Sequence, residues 1–120
     1  MAVLVPGPAY VQAAGNKTKV IEEFVGRIST DTGDVSIARM RSPGGWAEPG
    51  QTPDFDEYTL VLRGILRVVS KEGTLEVKAG QAVVARRGEW VQYSTPSPDG
   101  ADYVSVCIPA FSPSTVHRDL

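Results

Sequence analysis

Apolar and polar positions alternate along most of this chain in short runs, and turn residues cut those runs before helix-length segments can form. Glycine (12) and proline (9) recur at short intervals, the rhythm of brief strands joined by tight turns. Val35 to Arg41 reads as one strand, ended by Ser42-Pro43-Gly44-Gly45. Tyr58 to Arg63 and Ile65 to Ser70 read as two more, with Gly64 between them as a bulge or bend. Lys71-Glu72-Gly73 forms the loop of a hairpin whose return strand is Thr74 to Lys78. Within it Leu75 and Val77 alternate with Glu76 and Lys78, giving one buried and one wet face. Gln81 to Ala85, Trp90 to Ser94 and Ala101 to Ile108 complete the series.

One segment has a different period. Val20, Ile21, Phe24, Val25 and Ile28 fit a helical stripe, with Thr18 as a cap. The β-branched content of the same segment also allows a strand. The pattern therefore predicts an all-β domain, with room for one short N-terminal helix over Val20 to Ile28. The tail, 109–120, has too few apolar residues for a strand and either dangles or folds back over the domain.

A chain of 120 residues makes one domain spanning 1–120, and that size suffices for a single core without disulfides. Hydrophobic residues at 42% and charged residues at 22% argue against disorder. The formal net charge of −2 offers no basic field for nucleic acid or an anionic membrane, so neither is an expected partner. Cys107 is the only cysteine, so no internal disulfide forms. Ala2 to Val5 is too short for a signal segment, and no run reaches membrane-span length. A soluble cytoplasmic protein is the expectation.

Two segments carry a family resemblance. Glu57 and Gly64 keep a seven-residue spacing within an acidic-then-apolar run, and Gly80 and Gly88 keep an eight-residue spacing with Arg86 between them. In these positions and in hairpin order, 35–108 resembles the cupin superfamily, whose single-domain members are jelly-roll-like (RmlC-like) antiparallel β-barrels. Closure of such a barrel removes exposed strand edges. The resemblance implies a metal held by three histidines and a glutamate, and a homodimer, for which Val3–Val5 and Val20–Ile28 offer apolar stripes. The residues depart from the ligand set: Gln51 and Pro53 stand at the two histidine positions of the first motif, Val91 at that of the second, and Arg86 where proline is usual. Only Glu57 remains. Transition metals favour imidazole and need at least three protein ligands, so no metal and no other cofactor is expected.

The candidate site follows from that frame. Glu57 points into the barrel by the resemblance, and alternation sends Thr59 and Val61 the same way. A carboxyl in an apolar barrel has a raised pKa, which suits a general base. Gln51 presents an amide donor and acceptor to a ligand. Tyr93 shares parity with Val91, and His117 becomes a second proton-transfer group if the tail covers the barrel. Arg39, with Arg41, clamps an anion if its face turns inward, although an outward, solvated face is the commoner arrangement. Trp46 and Trp90 are rings suited to a small organic ligand or to plain packing. Cys107 shares parity with Tyr103 and Ser105 and reads as buried and inert. Asp54, Asp56 and Glu57 form an acidic turn. Two functions fit this set. One is a small-molecule-binding barrel with Gln51, Glu57, Tyr93, Arg39 and Trp46 as contacts. The other is a metal-independent isomerase, lyase or cyclase using Glu57, Tyr93 and His117. A metal-dependent oxygenase ranks below both for want of ligands.

Overall fold

The computed structural model describes residues 1–120. It contains nine strands: β1 (Ala9–Val11), β2 (Val20–Val25), β3 (Ser36–Ser42), β4 (Trp46–Ala47), β5 (Asp56–Ser70), β6 (Gly73–Lys78), β7 (Ala82–Ala85), β8 (Val91–Thr95) and β9 (Ala101–Ile108). Every pairing is antiparallel, and the main order is β1-β2-β3-β9-β5-β8-β4, with β6 and β7 also on β5.

The long strand β5 organises the barrel. Its first part pairs with β9 and β7, and its last part with β6 and β8, so one strand serves both sheets. The switch occurs at Gly64, where φ is +76° and a Cβ would meet the Gly100 carbonyl oxygen at 2.1 Å. Only glycine accepts both the conformation and the contact. The two strands read on either side of Gly64 are therefore one bent strand. Its register with β9 shifts between Val61 and Arg63, the mark of a bulge.

Register lines up the inner face in rows. Val11, Ile21, Met40, Tyr103 and Val61 are successive cross-strand partners, and so are Ala9, Glu23, Ala38, Ser105, Thr59 and Val83. A third row runs Ser36, Cys107, Glu57 and Ala85. Alternation makes each row face one way. Beyond them Trp46, Leu66, Val68, Val77 and Val91 close the main core.

The helical stripe expected over Val20–Ile28 is a strand to Val25 and then a turn. Pairing on both sides, with β1 and β3, overrides a short local period rich in β-branched residues. The apolar spacing misled because Glu23, not an apolar residue, takes an inward position. Its carboxylate accepts from the backbone N–H of Ile28 at 3.0 Å and of Ser29 at 2.8 Å, so the turn after β2 satisfies it.

The tail folds back. Thr52 N–H donates to the His117 carbonyl, Asp54 N–H to that of Thr115, and Asp119 N–H to that of Gly50. Val116 is buried with Phe55 and Cys107, and Phe111 packs on Phe55 with ring centres 5.9 Å apart. No helix is long and apolar enough to cross a membrane.

Candidate functional site

The inward rows leave a cavity of about 60 Å3 between β2, β3, β5, β8 and β9. Glu57, Thr59, Tyr93, Tyr103, Ser105 and Cys107 line it from the strands, Glu48 and Gln51 from the segment after β4, Lys19 from the approach to β2, and Phe111 and Arg118 from the tail. Glu57 is enclosed by protein yet keeps contact with this space, which makes it only half-buried by exposure.

Burial dominates the electrostatics. It raises the Glu57 carboxyl to about 7, with the negative charge of Glu48 adding to the rise and Lys19 opposing it. The hydroxyls of Ser105 and Tyr93 also lower it, without either making a complete bond to it. Ser105 Oγ lies 3.2 Å from Thr59 Oγ1, and the Tyr93 hydroxyl has no partner. Burial likewise raises Glu48, against the pull of Lys19 and Arg118. Lys19 is pushed down to about 8 by burial, and Glu48 and Glu57 limit the fall. Burial pushes the Tyr93 and Tyr103 hydroxyls and the Cys107 thiol up, so all three stay protonated at neutral pH.

Three polar atoms on the wall are buried without partners: Gln51 Oε1, the Tyr93 hydroxyl and Arg118 Nε. Arg118 faces Glu48 at 3.8 Å through its Nη2, and its guanidinium lies 5.8 Å from the Phe111 ring centre.

A transition metal does not fit this donor set. Of the four positions the cupin resemblance marks, Gln51 and Glu57 line the cavity, while Pro53 and Val91 are buried outside its lining. No three His, Cys, Asp or Glu side chains converge anywhere in the structure, and Lys19 and Arg118 would face a cation across the same space.

Of the residues singled out in the sequence, Glu57, Gln51 and Tyr93 come together in the cavity. His117, Arg39 and Trp46 do not. His117 is exposed on the outside, where its Nε2 lies 2.7 Å from Asp54 Oδ2, because the tail turns this side chain away from the barrel. Arg39 points outward from β3 and donates through Nε to Glu22 Oε1 at 2.9 Å, while Arg41 donates to the same oxygen at 3.2 Å. The inward positions of β3 are Ser36, Ala38 and Met40. Trp46 is buried in the core, not on the cavity lining, and donates through Nε1 to the Ala14 carbonyl at 3.0 Å. Trp90 bonds Asp119 in the tail.

The sequence reading missed Lys19, Glu48 and Arg118. For Lys19 a signal existed, since it shares parity with Ile21 and Glu23 once that segment is read as a strand. Glu48 and Arg118 lie in a loop and the tail, where alternation gives no direction.

No family model matches the sequence. The chain is 44% identical over 101 residues to the endoribonuclease YbeY of Myxococcus xanthus (strain DK1622), an alignment that covers 84% of this chain and 34% of that protein. The chain therefore spans about a third of that relative's length. Among solved structures, the polyketide cyclase RemF from Streptomyces resistomycificus superposes with a TM-score of 0.75 at 18% identity, covering 100% of this chain and 86% of that one. A predicted oxalate decarboxylase from Thermotoga maritima gives 0.72 at 17% identity, covering 91% of this chain and 99% of that one. These likenesses, together with a β5 that serves both sheets and rows of inward residues around one cavity, establish that the chain has the cupin fold.

Proposed function

We propose that this chain binds a small polar organic molecule inside its barrel, independently of a metal, with Gln51, Tyr93 and Arg118 holding it and Glu57 exchanging a proton with it. The observation that carries this reading is one cavity lined by three residues that each hold a buried polar atom without a partner. Each such group costs about 1–3 kcal/mol while unpaired. The arrangement offers two donors, the Tyr93 hydroxyl and Arg118 Nε, and one acceptor, Gln51 Oε1. A molecule with both an acceptor and a donor satisfies all three. The cavity holds only a few water-sized positions at about 60 Å3, so the ligand is small. A net charge of −2 and a wall mixing Glu23, Glu48 and Glu57 with Lys19 and Arg118 favour a small molecule over a polyanion.

One observation favours a second reading, a metal-independent isomerase, lyase or cyclase. Glu57, poised near 7, is matched to proton transfer at neutral pH. The fold likeness to a polyketide cyclase supports an organic substrate in such a barrel.

The test is a titration of isotope-labelled protein with a panel of small hydroxy and oxo compounds, followed by NMR. Shifts confined to the cavity, weakened about tenfold by Gln51→Leu or Tyr93→Phe, support binding. A panel that moves no cavity resonance removes it. For the second reading, Glu57→Gln lowers turnover of any substrate found by about 100-fold or more; full turnover in that variant rules the base out.

A further inference from the structure

Lys19 is the cavity residue that the binding reading leaves without a task. Its Nζ donates to the Tyr103 hydroxyl at 2.8 Å and lies 3.8 Å from the centre of the Trp46 ring. The Tyr103 hydroxyl is in turn 2.9 Å from Ser42 Oγ. These contacts fix the amine at the cavity wall. Yet Lys19 forms no ion pair: Arg118, not Lys19, approaches Glu48, and Glu57 is in no ion pair at all. The faces of the Trp46 and Tyr103 rings, 3.8 and 5.1 Å from Nζ, stand where a carboxylate normally matches a partly buried ammonium.

An amine attacks carbon only when neutral, and enzymes produce a neutral lysine by burying it or by placing a second cation near it. Both devices are present here. Burial is the larger, Arg118 adds to it, and together they bring Lys19 to about 8 against the pull of Glu48 and Glu57. Roughly a tenth of Lys19 is then neutral at pH 7, against well under about a thousandth of an ordinary lysine.

We infer that Lys19 is a carbonyl-capturing nucleophile, whose amine condenses with a small aldehyde or ketone held in the cavity to form an imine. The inference rests on the binding reading above. The nitrogen lone pair forms the new C–N bond while the carbonyl π pair moves to oxygen. Glu57 in its acid form gives that oxygen a proton and, as carboxylate, takes one from nitrogen. The hydroxyl then leaves as water, so the carbonyl oxygen and both amine hydrogens depart and a C=N bond remains. No oxidant, reductant or metal is needed. Tyr93 and Arg118 offer the donors that would hold a second oxygen of the same molecule, such as the carboxylate of a 2-oxo acid.

The experiment treats the full chain with glyoxylate or propanal and cyanoborohydride near neutral pH and maps the reduced adduct by mass spectrometry. The expected result is modification of Lys19 at least about tenfold faster than of the exposed Lys17, Lys71 and Lys78. Its rate passes through a maximum between about 7 and 8, where Lys19 has begun to lose its proton and Glu57 still holds one, and Lys19→Arg abolishes it. Even labelling of all four lysines, or fast labelling that survives Lys19→Arg, overturns the inference. The comparison among lysines within the unmutated protein decides the matter even if the variant fails to fold. A parallel NMR titration without reductant separates the two readings. Cavity shifts without selective labelling remove the imine and leave binding, whereas no cavity shifts for these carbonyl compounds and for the wider panel remove both.

Discussion

Glu48 and Arg118, seventy residues apart in sequence, face each other across 3.8 Å on the cavity wall. The separation is long for a tight ion pair, so the Glu48 charge acts on the other ionisable groups of the cavity as well. It raises Glu57 and it raises Lys19. Glu48→Gln therefore lowers both, bringing the Glu57 midpoint below about 7 and Lys19 further below 8. A carbon-detected NMR titration of the Glu57 carboxyl reads this directly. An unchanged midpoint would mean that burial alone sets the Glu57 value.

Stability carries the same signature. Unfolding returns the Glu57 carboxyl from about 7 to its ordinary 4.5. Between those values the folded protein holds a proton that the unfolded chain has lost, so stability falls as pH rises across that interval, by about 3 kcal/mol. Glu48, also raised, acts in the same sense. Lys19 acts oppositely at higher pH, because the folded amine loses its proton near 8 and the unfolded one near 10.5. Stability is regained over that range. Urea midpoints at about pH 5 and pH 8 should thus differ, lower at pH 8, and Glu57→Gln should remove most of the difference. Equal midpoints in the unmutated protein would contradict the buried, proton-holding state of Glu57.

What the sequence revealed and concealed has one physical basis. Positions 101–108 were legible as a strand because apolar residues, a preceding turn and parity agree there, and β9 occupies those residues. The Glu57–Gly64 spacing was legible because a bend that passes this close to Gly100 tolerates no side chain. Lys19, Glu48 and Arg118 were not, since their directions are set by contacts with strands far away in the chain. The Val20–Ile28 segment was misread for a related reason. A buried Glu23 satisfied by the following turn looks, in the sequence alone, like the polar face of a helix.

The tail offers a clean contrast between adjacent residues. His117 sits outside on Asp54, and Arg118 reaches into the cavity. His117→Asn, chosen because asparagine tolerates the φ of +49° found there, should change stability by less than about 1 kcal/mol, as for exposed ion pairs. It should leave ligand affinity unaltered. Arg118→Gln should weaken a bound ligand by about tenfold or more, the effect of losing a charged hydrogen bond. Parallel calorimetric titrations of the two variants measure this, and equal affinities would take Arg118 out of the binding site.

The homodimer expected from the sequence has a further apolar face to form on, besides the exposed Val3, Leu4, Val20 and Ile28 of the stripes first singled out. Val84, Tyr58, Val106 and Ile37 are successive cross-strand partners on the outer side of β7, β5, β9 and β3, with Leu60 and Val104 beside them. Leu60 and Val84 are about half exposed, and Leu62 and Ile108 extend the surface along the strands. The ion pairs Arg63–Asp102 and Arg87–Asp56 lie at its two ends, an apolar centre between charged margins. A stable interface takes about 800 Å2 from each copy, so the whole patch has to be engaged, and one charge at its centre should be enough to disrupt it. Analytical ultracentrifugation should find the unmutated chain as a dimer and Val84→Lys as a folded monomer that melts cooperatively at a lower temperature, because the partner's stabilisation is gone. An unmutated chain that sediments as a monomer would leave this face without a partner copy.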